Sequence, residues 1–432
     1  MSDFSHRLLA EGISVSNNTR ETGLSNNDLI IGPTGGGKTR SYVLPNLLET
    51  EESFLVTDTK GALRKQVGAL LEKRGFQVIE LDFSDLRRSA YGYNPLRFIR
   101  WGPRREDCYE QDILTVASAL VPVQITRDPF WDYAARELLS VLIGYTLECL
   151  PPEEQNMSSV VKLLDEAKTG VLDDLMKEFE ILAPDSFVAG QWKRLQNGRE
   201  AERTYASILG MLVPKMAPFA FDGGLRLAQN PRQIDFAQMS RQRTAVFVKM
   251  NDCDFSLKPL TSLFYTQALQ ALIQEADRRP DNRLEIPVRL YLDDFANLDV
   301  PDFDKIISII RSREISVSVV LQSVTQLAGL YGGAQAMTII DNCDHLLYLG
   351  GQSLETASFI GSKANKPSSA ILNMPLGEAW LFERGSQPRR VRKYDLKSHP
   401  RYRELPEYAA EAKLPPSGGA EAPLEEGMEL SM

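Results

Sequence analysis

The feature that most constrains this chain is a glycine-rich stretch near its start, residues 32–39, which reads GPTGGGKT. It follows the apolar run 29–31 and precedes a predicted helix at residues 40–48. In this strand–loop–helix context the pattern G-x-x-x-x-G-K-T is typical of a phosphate-binding loop. Its glycines let several backbone N–H groups turn toward phosphate oxygens, and the helix behind the loop adds its positive end.

The residue types of this loop predict a nucleotide triphosphate and Mg²⁺ as ligands. Lys38 can reach the β- and γ-phosphates, and the hydroxyl of Thr39 can bind Mg²⁺. The residues expected to hold the phosphates and the metal are Gly32, Thr34, Gly35, Gly36, Gly37, Lys38 and Thr39.

The composition is that of a soluble globular protein with room for two or three domains. The chain has 432 residues, of which 43% are hydrophobic and 25% charged. Its net charge of -9 argues against coating nucleic acid by bulk attraction, but not against a local basic channel. Four cysteines without a C-x-x-C pair and three scattered histidines argue against a zinc site and against Ser-His or Cys-His catalysis.

The hydropathy pattern indicates a protein without a membrane span. No run of about 18 uncharged apolar residues occurs, and the first residues are polar and mixed, unlike a secretory signal. We therefore expect no transmembrane segment in this chain and a cytoplasmic location.

Alternating strand and helix patterns predict an α/β fold with a mostly parallel sheet. After the glycine-rich loop, strands are predicted at 53–58 and 78–82 with a helix between them. Further strands are predicted at 244–250, 288–293, 316–322, 345–349 and 379–382. Between these two groups the pattern is helical, with apolar residues three and four positions apart. An all-helical domain is thus expected to be inserted into the nucleotide-binding domain.

This organisation sets five predicted regions. They are an N-terminal segment (1–22), the first part of the nucleotide-binding domain (23–110), an all-α domain (111–243), the second part of the nucleotide-binding domain (244–400) and an acidic tail (401–432). The last residues are rich in Pro, Gly, Ala and Glu and lack aromatic side chains, so we expect the tail to be disordered.

A phosphate loop needs a metal-holding carboxylate on a neighbouring strand, and the predicted strand 288–293 offers one. This strand ends in Asp293, which is followed by Asp294. We assign Asp293 to the Mg²⁺ shell and place Asp294 beside the attacking water. Gln322 ends the next predicted strand, where its amide can contact the γ-phosphate or the water. The alternative for each is an ordinary polar residue at a strand end.

Several motifs, taken together, resemble one known family. Besides residues 32–39 they are Asp58-Thr59-Lys60-Gly61, Tyr93-Asn94-Pro95-Leu96, Asp128-Pro129-Phe130-Trp131, residues 292–298 and residues 321–327. In this order they resemble the type IV secretion coupling proteins of conjugation, the TraG/TraD-type ATPases. The resemblance runs from about residue 23 to about residue 395.

The resemblance implies a RecA-like motor domain, related to the FtsK/HerA translocases, together with an all-helical domain. It implies ATP and Mg²⁺ as cofactors and a homo-hexameric ring. It also implies delivery of single-stranded DNA with its attached relaxase, or of protein substrates, to a type IV secretion channel. Such a motor would lie in the cytoplasm, peripheral to the inner face of the cell membrane.

The family also carries an arginine that acts on the nucleotide of a neighbouring subunit. Arg311, before Gln322, lies at a similar place, and Arg313 is the alternative. Two features depart from the family pattern. Family members usually carry Asp-Glu where this chain has Asp293-Asp294. The Asp294 side chain is one methylene shorter than glutamate, which predicts slower turnover or a different route for the water's proton. Most members also begin with membrane-spanning helices.

Three other functions stay open on the residues alone. One is an FtsK/HerA-type DNA translocase in chromosome handling or repair. Another is a phosphate-loop kinase or switch GTPase, which the lack of an N-K-x-D guanine-reading motif and the large helical insertion disfavour. The third is a nucleotide-binding scaffold with low turnover, which Asp294 supports.

Overall fold

The fold is built on one large β-sheet. The computed structural model describes residues 6–100, 109–123, 128–197, 202–251 and 256–411, and within them nine strands form this sheet. Two earlier strands form a separate hairpin. In chain order the strands are β1 (His6–Ala10), β2 (Ile13–Ser16), β3 (Asp28–Ile31), β4 (Ser53–Asp58), β5 (Gln77–Asp82), β6 (Thr244–Lys249), β7 (Val288–Leu292), β8 (Ile315–Leu321), β9 (His345–Tyr348), β10 (Glu378–Glu383) and β11 (Arg389–Arg392).

The sheet has the order β11-β10-β9-β3-β8-β7-β4-β6-β5. From β9 to β5 neighbouring strands run parallel, whereas β10 and β11 are antiparallel to their neighbours. The predicted mostly parallel sheet is therefore confirmed. The order also places β3, which leads into the glycine-rich loop, next to β8, with β7 on the far side of β8. Segments far apart in the chain thus meet at the carboxyl ends of these central parallel strands.

From β9 to β6 both faces of the sheet are buried, which explains why most of these strands read as nearly continuous apolar runs. Along β3 the side chains alternate between two core clusters. Leu29 and Ile31 pack into the cluster that contains the apolar residues of the long central helices, and Ile30 packs into the cluster on the other face.

Helices cover both faces and fill the chain between β5 and β6. They are α1 (Thr19–Thr22), α2 (Leu44–Glu49), α3 (Ala62–Lys73), α4 (Tyr109–Leu120), α5 (Phe130–Cys149), α6 (Met157–Thr169), α7 (Val171–Leu182), α8 (Phe187–Asn197), α9 (Glu202–Ala220), α10 (Asp222–Gln229), α11 (Lys258–Asp277), α12 (Phe303–Ile309), α13 (Val324–Tyr331), α14 (Gly333–Asp341), α15 (Leu354–Ala364), α16 (Ser368–Leu372) and α17 (Pro406–Glu411). From α4 to α10 no strand interrupts the described residues, where the sequence predicts the all-α domain.

The helical block packs around α5, whose apolar stripe follows the predicted spacing. Leu138, Leu139 and Leu142 of this helix are fully buried against α4, α6, α8 and α9. Asn94 ties the block to the sheet: its side chain accepts from the Leu96 N–H at 3.2 Å and donates to the Gln155 carbonyl at 2.8 Å. The Tyr93–Leu96 motif therefore has a structural role at this junction.

The N-terminal hairpin is anchored to the sheet by a buried cluster of charges around Asp28. The Asp28 carboxylate lies 2.8 Å from Arg7 Nε, 3.3 Å from Arg289 Nη1 and 3.2 Å from His345 Nδ1. It also accepts from the hydroxyl of Tyr42, which follows the glycine-rich loop. Burial opposes ionisation, but Arg7, His345 and Arg289 together hold the pKa of Asp28 below its ordinary value.

The C-terminal part of the described chain corrects one prediction. Residues 401–411 are not disordered: they form a 3₁₀ turn, Tyr402–Glu404, and α17. Tyr402 and Leu405 are buried in the core cluster that lies under α2 and α3. These two apolar side chains among charged neighbours suffice to dock the segment. Residues 412–432, and with them most of the predicted tail, lie outside the described residues, as do Cys108 and Cys253.

Candidate nucleotide-binding site

The glycine-rich loop connects the carboxyl end of β3 to a π-helical turn, Thr39–Val43, that continues into α2. Gly35 and Gly37 have positive φ angles of 75° and 95°, a backbone region that side chains other than glycine rarely adopt. At Gly36 an added Cβ would lie 2.9 Å from the Pro33 carbonyl oxygen, so the loop has no room for a side chain there. The three central glycines are thus required by the loop's shape.

Lys38 extends back along this loop. Its ammonium donates to the carbonyls of Gly32 at 2.9 Å and of Pro33 at 3.2 Å, and the residue is 9% exposed. The charge therefore lies at the base of the loop, within reach of an anion that the loop binds. Gly32 packs against Leu349, where an added Cβ would lie 3.0 Å from the Leu349 Cβ.

Thr39 and Asp293 connect the two halves of the site. The Thr39 hydroxyl donates to the Asp293 carboxylate at 3.2 Å, although the two residues are 254 positions apart. A hydroxyl and a carboxylate are hard oxygen donors of the kind that Mg²⁺ takes, and this ion needs few protein ligands beside phosphate oxygens and water. The residues present therefore fit Mg²⁺.

The ionised form of Asp293 is disfavoured in this arrangement. It comes directly after β7, at the edge of the sheet where the glycine-rich loop lies, and is 8% exposed. Burial and the adjacent charge of Asp294 raise its pKa to about 6, against the opposing effects of Lys38 and the Thr39 hydrogen bond. A cation bound beside Asp293 would relieve both unfavourable effects.

Asp294 and Gln322 line the same space. Asp294 adopts the left-handed region with φ of 49°, and its N–H donates to the Asp293 carboxylate at 3.0 Å. Gln322 follows β8, the strand between β3 and β7, and its N–H donates to the Gln326 side chain at 3.0 Å. A polar group at the end of each of these strands thus faces the loop, as expected for a ligand site in an open α/β sheet.

These residues surround one cavity of about 610 Å³, which is within the range of small-molecule sites, about 300–1,000 Å³. The predicted residues that line it are Thr34, Gly35, Gly37, Lys38, Thr39, Asp293, Asp294 and Gln322. Gly32 and Gly36 shape the loop without lining the cavity. The roles of all these predicted residues in binding or catalysis remain predictions.

The structure does not bring Arg311 to this cavity. Arg311 precedes the amino end of β8, where its side chain donates to the Gly23 carbonyl at 2.6 Å, whereas Gln322 follows the carboxyl end of the same strand. Since β8 rises about 3.3 Å per residue, its two ends are roughly 20 Å apart. The alternative, Arg313, is paired with Asp277 at 2.7 Å. Within one chain neither arginine can act on the cavity.

Sequence reasoning missed part of the cavity wall. Asp58, the last residue of β4, and the next two residues, Thr59 and Lys60, line the cavity together with Gln66 of α3. The Asp58 carboxylate accepts from the backbone N–H of Ala62 at 2.9 Å and so fixes the start of α3. The signal was available, because β4 ends at the same edge of a parallel sheet as the glycine-rich loop.

Comparison with known proteins agrees with this arrangement. Residues 10–364 match the family model for type IV secretory system conjugative DNA transfer. The chain belongs to this family. It is 23% identical to VirD4 of Rhizobium rhizogenes over 393 residues, which cover 86% of this chain and 55% of that protein. VirD4 of Agrobacterium fabrum is also 23% identical, over 83% of this chain and 52% of its own length. The chain thus spans about half the length of these curated relatives.

Several solved structures share the fold of this chain. The bacterial conjugative coupling protein TrwBdeltaN70, in its unbound monoclinic form, has a TM-score of 0.67 at 17% identity, over 91% of this chain and 89% of that chain. TrwB in complex with the non-hydrolysable ATP analogue ADPNP also has a TM-score of 0.67 at 17% identity, over 90% and 89%. VirB4 of Thermoanaerobacter pseudethanolicus has a TM-score of 0.54 at 14% identity, over 91% and 97%. The RecA-like fold class with its helical addition is thereby confirmed.

Across the described ranges, no helix combines the length and the apolar character that crossing a bilayer requires.

Proposed function

We propose that this chain is an ATP-hydrolysing motor that recruits single-stranded DNA with its attached relaxase, or protein substrates, and drives them into a type IV secretion channel. The contact between Thr39 and Asp293 carries the proposal, because it joins a phosphate loop to a metal-holding carboxylate inside one cavity. Family membership supports the substrate class, and the TrwB complexes with ADPNP and with ADP and Mg²⁺ support the ligands.

The residues of the loop divide the work of binding. The backbone N–H groups between Thr34 and Thr39 receive the phosphates, and Lys38 exchanges its two carbonyl contacts for phosphate oxygens. Thr39 and Asp293 would hold Mg²⁺, which would supply positive charge to offset the negative charge of the phosphates.

Two residues at strand ends are assigned to the attacking water. Asp294 accepts a proton from the water or orients it, and Gln322 contacts the water or the γ-phosphate. Strand β8 connects Gln322, which follows its carboxyl end, to the segment before its amino end that carries Arg311. This strand thus links a change at the γ-phosphate directly to the region of Arg311.

The family resemblance implies a ring, and the position of Arg311 is compatible with one. Arg311 lies too far from the cavity of its own chain, so its action on ATP requires a neighbouring subunit, and we assign a homo-hexamer in which Arg311 enters the next cavity. Such an arginine contributes about 10³ to 10⁵ in rate in related phosphate-loop enzymes.

The division into regions belongs to the same proposal. Residues 23–110 and 244–400 form the motor, residues 111–243 form the all-α domain, and the protein works in the cytoplasm at the inner face of the cell membrane. Other partners of the ring are the components of the secretion channel.

The test is the ATPase rate of the purified chain with Mg²⁺, measured against protein concentration and with or without single-stranded DNA. We expect the rate to rise with both. Lys38→Ala should abolish it, because the phosphates lose their cation. The matched control is Lys177→Ala, since that side chain is 71% exposed and lies on α7 in the helical block. A rate that ignores both DNA and concentration would exclude the ring motor.

A second candidate function is a nucleotide-binding scaffold with low turnover. The observation that favours it is Asp294, since the family resemblance implies the longer glutamate at this position. Tight ATP binding by the wild type with a rate no higher than that of Lys38→Ala would select the scaffold over the motor.

A further inference from the structure

A second lysine, Lys393, contacts the glycine-rich loop from the hairpin formed by β10 and β11. Lys393 follows β11, and its ammonium donates to the Gly36 carbonyl at 3.0 Å. Its backbone N–H donates to the Gly377 carbonyl at 2.9 Å, which fixes it at the base of the β10–β11 hairpin. Lys393 also lies beyond residue 364, where the family match ends. Neither the family match nor the proposed function assigns it a role.

This contact is different in kind from the others in the loop. The Gly37 carbonyl accepts from the Ser41 N–H at 2.7 Å, four residues ahead, and Lys38 holds the carbonyls at the start of the loop. Gly36 is instead held by a residue 357 positions away. The peptide between Gly36 and Gly37 is flanked by glycines, so its orientation is poorly determined by local sterics. An external contact is what can fix it.

The geometry of a peptide unit turns this contact into an effect on the site. In a trans peptide the carbonyl of one residue and the N–H of the next point in opposite directions, and cis bonds are absent from the described chain. Neither Gly36 nor Lys393 is among the residues that line the cavity, so the Gly36 carbonyl is held away from it and the N–H of Gly37 is turned to the opposite side. Gly37 lines the cavity. Lys393 therefore presents an amide donor to the space where phosphates bind.

The charge of Lys393 adds to this effect. No carboxylate in the described part of the chain forms an ion pair with it, and its partial burial lowers its pKa from the ordinary value. A cation on the carbonyl polarises the peptide and strengthens the N–H on its other side. A phosphate on that side would in turn complement the uncompensated positive charge.

We propose that Lys393 is a positioning residue of the nucleotide site, which orients the Gly36–Gly37 peptide toward the phosphates and makes phosphate affinity depend on the C-terminal hairpin. The inference rests on the proposed function, since it requires that the cavity binds a nucleotide. It assigns to β10 and β11 a role in the site that their place at the edge of the sheet does not suggest.

The experiment compares Lys393→Met with Lys393→Arg, which keeps the charge, and with the control Lys366→Met, an exposed lysine outside the cavity. Dissociation constants for ATP, ADP and AMP are measured by calorimetry with Mg²⁺, along with the thermal midpoint and steady-state kinetics. Loss of a charge-assisted contact predicts about tenfold weaker binding of ATP and ADP to Lys393→Met. Lys393→Arg and Lys366→Met should stay within about threefold of the wild type.

Two readouts separate positioning from a merely structural role. Loop N–H groups hold the α- and β-phosphates, so ATP and ADP should lose affinity equally and AMP less. The KM for ATP should rise while kcat changes little, because binding of ground and transition states is weakened alike. A hairpin that simply loosened would lower the thermal midpoint and not discriminate among the nucleotides.

The outcomes distinguish the inference from the proposed function. If the wild type binds ATP and Lys393→Met binds it equally well, the inference is overturned and the proposed function stands. If the wild type binds no nucleotide, both fall. Should Lys393→Met fail to fold, Lys393→Leu, which also removes both the charge and the donor, replaces it under the same criteria.

Discussion

The buried carboxylate of Asp28 allows a sharp test of what anchors the N-terminal hairpin to the sheet. In Asp28→Asn the shape of the side chain is kept and its charge removed. The guanidinium groups of Arg7 and Arg289 are each 1% exposed, and both then lack a counter-ion. Nε and Nη2 of Arg289 already make no hydrogen bond within the described structure, so few polar contacts would remain to stabilise this guanidinium.

The expected loss is large. Removing one partner of a buried ion pair costs about 3–5 kcal/mol, which is a major part of a typical stability of about 5–15 kcal/mol. The matched control is Asp165→Asn, whose carboxylate is 63% exposed and pairs with Lys168 on α6. Exposed pairs contribute about 1 kcal/mol or less, so this variant should resemble the wild type.

The assay is urea denaturation, combined with hydrogen exchange in peptides that cover β1 and β3. Both regions should lose protection in Asp28→Asn while the helical block keeps it. The pH dependence follows from the lowered pKa of Asp28, whose ordinary value is 3.8. A carboxylate with a depressed folded-state pKa stabilises above its unfolded pKa, and this contribution is lost as the pH falls through the folded value. The difference between variant and wild type should thus persist near neutral pH and shrink below about pH 4.

A loss below about 1 kcal/mol near neutral pH, with unchanged protection of β1, would refute the reasoning. It would mean that hydrogen bonds to neutral groups suffice to hold Arg7 and Arg289, and that the charge of Asp28 is not required.

Three further predictions concern the cavity. Asp294→Glu, which introduces the glutamate that the family resemblance implies, should retain or raise the ATPase rate, and complete loss would show that Asp294 does not serve in place of that glutamate. Inactive Arg311→Ala should regain part of its rate when mixed with Lys38→Ala, because each ring then contains intact interfaces; a mixture as inactive as its components would contradict action between subunits. Gly36→Ala should weaken ATP binding at least about tenfold, as measured by calorimetry, because the new methyl group meets the Pro33 carbonyl at 2.9 Å. Unchanged affinity would show that the loop can shift without cost.

The parallel sheet and its helices could be predicted because each buried strand leaves a strong local pattern. Runs such as Leu29–Ile31 and the apolar stripe of α5 report burial directly, and the polar residues that follow the strands indicate the edge where ligands bind. The meeting of Thr39 with Asp293 could be anticipated for the same reason, since the ends of parallel strands share one edge.

What escaped prediction has weak local signals. β11 reads Arg-Arg-Val-Arg, which looks like a solvated basic run, and it becomes a strand because β10 offers it a partner. The docking of residues 401–411 depends on Tyr402 and Leu405, which are too few to form a periodic pattern. The contact of Lys393 with Gly36 depends on the register of an edge hairpin, and no property of either residue alone specifies it.

The helical block connects two strands that are neighbours in the sheet. β5 and β6 are adjacent parallel strands, paired from Gln77 with Thr244 to Asp82 with Lys249, so the chain between them must cross over the sheet. In most proteins a single helix makes this crossing, whereas here an entire layer of helices does. A crossover fixed at both ends can grow, shrink or be exchanged at little entropic cost, since doubling a loop costs only about 0.6 kcal/mol. The sheet that carries the candidate nucleotide site and the helical block can therefore diverge at different rates on one continuous chain.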